Sequence, residues 1–483
     1  MEATNLFELF LTFDITNLKN MKKLLGAIAA LFTLGFAQAS HLVGGQITAT
    51  ALNNQRLYSL ELTLYRDNTG IQMYNTETLV VVGNGLTINV PIVKPNPTLI
   101  WGTSTNGIEE YVFQANFTFP TAGTYKIYYQ NCCRNAGIRN TTSTPGSYLE
   151  TTILVDSSLN SSPTFLNRPF ALALQNVQWF HNPIPYDVDG DSLAWSLDTP
   201  KEYFAGVVSS VPSYFHPDSD PGFPFAMDSY TGVISWQPTL RSRYIASVLV
   251  KEFRGGVQIG ATRRDYQFLV DSNQIGIPNI TSGQFGPRVG SAYVVRVSPG
   301  ARYNLVFETI DPNEDSVDVR IVGEPFRMVN NMPSITHVRA SRGRTQTTMN
   351  WQTTLGMART RPYLTAITVT EYRNNAPYYN QDFTVLYTLQ NATSVQENAG
   401  FSSEVYPNPS AGQPIMVNLY DLQAGNISME MFDLQGKKVW SKNVNSNYSG
   451  TMSYMIQSPF QPGTYVLKMQ QSGKTLVKKI VIQ

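Results

Sequence analysis

The feature that most constrains this chain is an internal repeat. A first copy runs Asp187-Val188-Asp189-Gly190-Asp191, then Leu193-Ala194-Trp195, Gly232-Val233-Ile234-Ser235-Trp236, Val250-Lys251-Glu252-Phe253-Arg254 and Asp265-Tyr266-Gln267-Phe268. A second runs Asp311-Pro312-Asn313-Glu314-Asp315, Met349-Asn350-Trp351, Val369-Thr370-Glu371-Tyr372-Arg373 and Asp382-Phe383. The later copy lies about 120 residues downstream at each landmark, the size of one sandwich domain. A near-constant period over four landmarks requires two equivalent modules in tandem.

The local pattern within those modules and around them is that of strands. Tyr58, Leu60, Leu62 and Leu64 alternate with Ser59, Glu61 and Thr63, which puts one apolar row on a single strand face. Tyr303-Leu305-Phe307 and Ile427-Met429-Met431 share that two-residue period, and no long stretch keeps a 3.6-residue period with caps. Short strands punctuated by Gly, Pro, Asn and Asp predict an all-β chain of tandem Ig-like or cadherin-like β-sandwich domains. The aromatic fraction of 12% and charged fraction of 14% agree.

The 483 residues leave room for three or four domains. Polar stretches at 157–162 and 391–400 read as linkers, and Asp271-Ser272-Asn273 ends one strand before Pro278 opens the next domain. The expected division is a signal peptide at 1–39, an N-terminal sandwich at 40–157, repeats at 158–275 and 276–395, and a final domain at 401–483. Met21-Lys22-Lys23, the apolar run Leu24 to Phe36 and Ala37-Gln38-Ala39 make up the signal, with translation expected to start at Met21 because Glu2, Glu8 and Asp14 have the wrong charge for the preceding region. About thirteen apolar residues are too few to span a bilayer. No run of about eighteen apolar residues follows, so no transmembrane span is expected in the mature chain. With 35 basic and 34 acidic side chains there is no field to gather nucleic acid.

The C-terminal residues Tyr406-Pro407-Asn408-Pro409, Phe432-Asp433-Leu434-Gln435-Gly436-Lys437 and Gly463-Thr464-Tyr465, with Lys478 and Lys479 in a basic, apolar tail, resemble the type A C-terminal sorting domain of the type IX secretion system of Bacteroidota. The repeat landmarks resemble the cadherin-like and PKD-like modules of Bacteroidota surface proteins. Ser40-His41-Leu42-Val43-Gly44-Gly45, Tyr65-Arg66-Asp67 and Cys132-Cys133-Arg134-Asn135 resemble the module that precedes such repeats in secreted proteins associated with gliding motility. The resemblance implies a secreted or cell-surface adhesive or structural protein that meets the type IX secretion machinery. Its extracellular ligand, glycan or protein, is left open, because such modules are scaffolds.

Asp187, Asp189 and Asp191 place three carboxylates within five residues, and Gly190 frees the backbone to curl them towards one point. Ca2+ fits such a set, and an Asx-turn without metal is the alternative. An EF-hand is excluded, because Gly190 stands fourth in the loop and a strand follows it. Further ligands must come from elsewhere. Related modules often carry an acidic residue where Glu252 stands, before Gly255-Gly256, and Asp265 is the next candidate. Pairing with Arg254, Arg263 or Arg264 competes for both. The second turn has Asn313 in place of one carboxylate and lacks the glycine, so a weaker site is expected there.

Cys132 and Cys133 are adjacent, at about 3.8 Å between Cα atoms, which leaves a strained vicinal disulfide, free thiols or an intermolecular bond as the options. The expected reading is not an enzyme: His41, His181, His216 and His337 are scattered, and no zinc, nucleophile-elbow or phosphate-loop motif occurs. Glu109 and Glu110 are strand neighbours that point to opposite faces. Sites assembled from remote residues keep a hydrolase as a third reading. Carbohydrate binding is the second, with Trp101 and Trp179 as surface candidates, whereas Trp195, Trp236 and Trp351 are placed in the core.

Overall fold

A computed structural model describes residues 41–483 except 54, 106, 132–133, 143–145, 205, 273–275, 391–400, 411–412, 447–448 and 458–459. The expected signal peptide and the Cys132–Cys133 pair lie outside the described residues. Among those described, the chain is strand throughout, with only two 3-10 turns, Glu324–Arg327 and Leu355–Met357. No helix among them is long and apolar enough to cross a membrane.

The N-terminal module faces the strands Leu42–Ala51, Leu57–Asp67 and Gly107–Thr118 against Thr76–Gly83, Gly123–Asn131 and Ser147–Val155. Leu60, Leu62, Leu64 and Phe113 from the first layer meet Leu79, Tyr125, Ile127 and Ile153 from the second in one core. The alternating apolar row at Tyr58 to Leu64 is thus the inward face.

That sheet does not stop at position 157. The long strand Val257–Asp271 pairs along one edge with Ser242–Arg254 of the first repeat. Its other edge meets three partners in turn: Ser147–Val155 at Gly260 to Thr262, Leu42–Ala51 at Asp265 and Tyr266, and Phe170–Leu174 beyond. Backbone bonds therefore continue from the N-terminal module into the repeat. The 157–162 segment, expected as a solvated linker, is partly sealed: Asn160, Ser161 and Ser162 are buried. The hydroxyls of Ser162 and Ser161 accept from the amides of Ala49 and Ala51 at 2.8 and 3.2 Å, replacing a ladder partner at that edge.

In the first repeat Trp179, Trp236, Phe225, Tyr244 and Phe268 pack edge to face around one core. The second repeat closes a four-stranded sheet and a five-stranded sheet over Trp351, Phe307, Leu305 and Tyr387. Both repeats turn their longest hairpin on two left-handed residues, Gly255-Gly256 in one and Asn374-Asn375 in the other, the conformation a two-residue hairpin needs. The two repeats meet through apolar packing, where Ala292, Leu364, Ala366 and Tyr379 join the core of the first, and through a buried polar joint. Asp382 accepts from the Asn167 side chain at 2.6 Å and from the amide of Asn182 at 2.9 Å, and His181 Nδ1 lies 2.8 Å from it.

The last domain packs Ser402–Tyr406, Ile415–Leu422 and Gly450–Ile456 against a four-stranded sheet ending in Lys474–Ile482. Met429, Met431, Leu467, Met469 and Ile480 fill it. A tyrosine hydroxyl bonds back to the carbonyl four residues upstream in three modules: Tyr125 to Thr121, Tyr244 to Leu240 and Tyr465 to Gln461, at 3.1, 3.1 and 2.7 Å. Such corners brace Greek-key sandwiches where a strand enters from the other sheet.

Candidate cation site and sorting domain

In the first acidic turn Asp187 Oδ1 accepts from the amides of Asp189 and Asp191 at 3.0 and 2.9 Å, which curls the loop. The loop is brought against Glu252 on the strand Ser242–Arg254, which pairs with Ser192–Asp198 just after the turn. Asp187, Asp191 and Glu252 each offer a carboxylate oxygen within 4.8 Å of the others. Gly260 makes the room, since a Cβ there would stand 2.2 Å from Glu252 Oε2.

Glu252 is 0% exposed and Asp187 8%. Glu252 Oε1 and Asp187 Oδ2 are buried without a hydrogen-bond partner. Burial first, and the nearby Asp187 and Asp191 carboxylates second, push Glu252 up to about 9. Burial also raises Asp187, to about 6. Arg254 answers Asp191, but Asp187 and Glu252 keep orphaned oxygens and repel each other when ionised, so they must share a proton or a further cation. The donor set is all oxygen, which suits a hard divalent ion, and Asp187, Asp191 and Glu252 would hold it.

Two of the candidates read from the sequence do not join this trio. Asp189 is exposed and turns to accept from the amide of Ser161 at 2.5 Å, so it grips the incoming segment. Asp265 pairs across the ladder with Ser247 while Glu252 pairs with Gly260. Five residues of strand, roughly 17 Å, therefore separate Asp265 from Glu252. Asp265 is instead buried against the guanidinium of Arg134 from the N-terminal module. Arg254 does not hydrogen-bond Glu252: it goes to Asp191 at 2.8 Å, to Asn160 Oδ1 at 2.9 Å and to Ser158 Oγ at 2.5 Å. Asn160 also donates to Glu252 at 3.4 Å. Its part was hidden in a polar stretch whose composition matches that of any linker.

Trp179 is corrected from surface candidate to core. It is 0% exposed, stacks on His181 and donates to the carbonyl of Asn380 at 2.6 Å. Trp101 is half-buried and packs with Ile100 on Val43, Tyr65 and Ile108. Glu109 and Glu110 are taken up by Arg66 and Arg168 at 2.7 and 3.4 Å.

The C-terminal motif residues are structural parts of their sandwich. Asn408 makes two bonds to the last strand: its amide donates to the carbonyl of Lys479 at 2.7 Å, and its oxygen accepts from the amide of Val481 at 2.8 Å. A backbone ladder is thereby imitated by one side chain, between Pro407 and Pro409. Asp433 caps the amides of Gln435 and Lys437 at 3.0 and 2.8 Å, and Gly436 supplies the left-handed turn position. Gly463 opens the strand that carries Tyr465 into the core. Tyr406 stacks on Tyr230 of the first repeat at 5.5 Å. It lines, with Arg361, Lys478 and Lys479, a cleft of about 840 Å³ between the last domain and the repeats.

Residues 404–483 match the family described as Secretion system C-terminal sorting domain. No curated protein matches the chain. Solved structures similar to it include the N-terminal four Ig domains of Dscam1 isoform 6.44, at 9% identity and a TM-score of 0.18 over 91% of this chain and 99% of that one. Zebrafish RET cadherin-like domains 1 to 4 give 9% and 0.17 over 86% and 94%, and Drosophila OTK extracellular domains 3–5 give 8% and 0.15 over 66% and 97%. Likenesses at that level carry no argument about arrangement or ligands. The chain is cargo of the type IX secretion system, with residues 404–483 as its C-terminal sorting domain and the cell surface or extracellular space as its destination.

Proposed function

We propose that this exported chain is a non-catalytic structural or adhesive component of the cell surface, whose three tandem sandwiches form one stiff body. One observation supports this above the rest: two buried charge pairs lie at joints between modules. Arg134 with Asp265 ties the N-terminal module to the first repeat, and His181 with Asp382 ties the repeats to each other. A Ca2+ ion held by Asp187, Asp191 and Glu252 belongs to the same reading. Its loop grips the segment entering from the N-terminal module through Asp189 and Ser161. Modules locked together in this way hold an attachment surface in a fixed orientation, and its ligand is a glycan or protein outside the cell.

The test is genetic and direct. Cells lacking the chain should attach less well, and the full chain should restore attachment. A chain without 404–483 should stay in the periplasm and restore nothing. Unchanged attachment in the deletion strain, or turnover of a polysaccharide by the purified chain, would overturn the proposal.

A further inference from the structure

The second repeat rebuilds the first acidic turn with its carboxylates set wider apart, since among the described residues only Asp187, Asp191 and Glu252 bring three carboxylate oxygens within 4.8 Å of one another. Asp311 Oδ1 accepts from the amides of Asn313 and Asp315, both at 2.9 Å, as Asp187 does from its own loop. Glu371 takes the place of Glu252: each sits immediately before the register shift in its hairpin, at Glu371/Tyr372 and at Glu252/Phe253. Both glutamates are 0% exposed. Glu371 Oε2 and Asp311 Oδ2 are buried without partners, like their counterparts. Even the grip on the incoming segment recurs. Asp189 accepts from an amide, whereas Asn313 donates to the carbonyl of Gly276 at 2.7 Å.

The difference lies in one arginine. Each hairpin carries an arginine two residues after its glutamate. Arg254 donates to Asp191 and is tied there by Ser158 and Asn160, so it does not hydrogen-bond Glu252, and Glu252 and Asp187 keep orphaned oxygens. Arg373 turns inward, donating to Glu371 at 2.6 Å and to Asp315 at 3.2 Å. Its guanidinium lies 3.7 Å from the Tyr378 ring centroid, which holds it in that position.

We propose that Arg373 is the resident cation of the second acidic turn, so that the chain takes one divalent cation, in the first repeat, and opens a second site when the guanidinium is removed. This rests on the reading of Asp187, Asp191 and Glu252 as a cation site. A guanidinium on the buried glutamate and a divalent ion beside it answer the same need, positive charge at a buried carboxylate, and they exclude each other from that position. The two repeats therefore keep the same loop with different counter-charges.

Equilibrium dialysis of the full exported chain against Ca2+ measures the number of ions held. The wild type should bind one, Glu252→Gln none, Arg373→Met two and the double variant one. Methionine keeps an apolar stem on Tyr378. Glu371→Gln, which removes no ion site in this reading, should leave the wild-type stoichiometry unchanged. Two ions in the wild type, one ion in Arg373→Met, or the loss of an ion in Glu371→Gln would overturn the role of Arg373 while leaving the first site standing. Full binding by Glu252→Gln would instead overturn the first site itself. Should Arg373→Met fail to fold, the wild-type and Glu371→Gln stoichiometries still decide.

Discussion

Replacing Glu252 by glutamine keeps the side chain's shape and removes its charge, so it isolates the electrostatic cost of the acidic trio. Burial and the neighbouring aspartates hold this carboxyl at about 9 in the folded chain against an ordinary 4.5. The folded state therefore keeps a proton that the unfolded state gives up, and without a cation the wild type loses stability as pH rises from 4.5 towards 9. At about 1.4 kcal/mol per pH unit, the penalty at pH 7 is roughly 3 kcal/mol. Glutamine escapes it, and its amide donates where the carboxylate repels. In chelator, Glu252→Gln should equal the wild type near pH 5 and exceed it by roughly 3 kcal/mol at pH 7. Calcium should recover the difference in the wild type alone, by about 2.7 kcal/mol at a hundredfold excess over Kd. Denaturant midpoints followed by tryptophan fluorescence, at several pH values with and without Ca2+, read this directly. The same pH slope in both proteins, with no shift on adding calcium, would refute the reasoning.

Two other perturbations test the joints. Asn408→Ala removes both bonds from the Tyr406-Pro407-Asn408-Pro409 segment to the last strand and should cost the sorting domain about 2 kcal/mol; a thermal melt measures it, and surface delivery in cells should fall with it. Asp382→Asn breaks a buried pair with His181 and should cost about 3–5 kcal/mol in chemical denaturation, with protease cleavage appearing between the repeats.

Strand identity was legible because it is local. The row Leu60, Leu62 and Leu64 declares its inward face by alternation alone, and Gly255-Gly256 declares its hairpin by left-handed conformations that few other residues adopt. The acidic turn was legible for the same reason, since Asp187, Gly190 and Asp191 are neighbours in the chain. Trp179 was not, because its burial is decided by Asn380, two hundred residues away, whose carbonyl receives the indole proton. Asp265 was misplaced for a similar reason. Nothing near it in sequence reveals that Arg134 arrives from another module, and its distance from Glu252 follows only from the hairpin register.

The polar residues explain why joints are harder to read than cores. A segment rich in Ser and Asn satisfies its hydrogen bonds equally well in water or at a sheet edge, so composition does not separate the two. Asn160, Ser161 and Ser162 read as a solvated linker, yet their side chains bond the edge of Leu42–Ala51 and the acidic site. Here the charged fraction is only 14%, and several of those charges are buried where modules meet. Each then acts as part of a two-module contact. Arg254 and Arg373 follow from this: they hold equivalent positions and each bonds the last aspartate of its acidic turn, and what surrounds each one, Ser158 and Asn160 in one case and Tyr378 in the other, decides whether the guanidinium also reaches the buried glutamate.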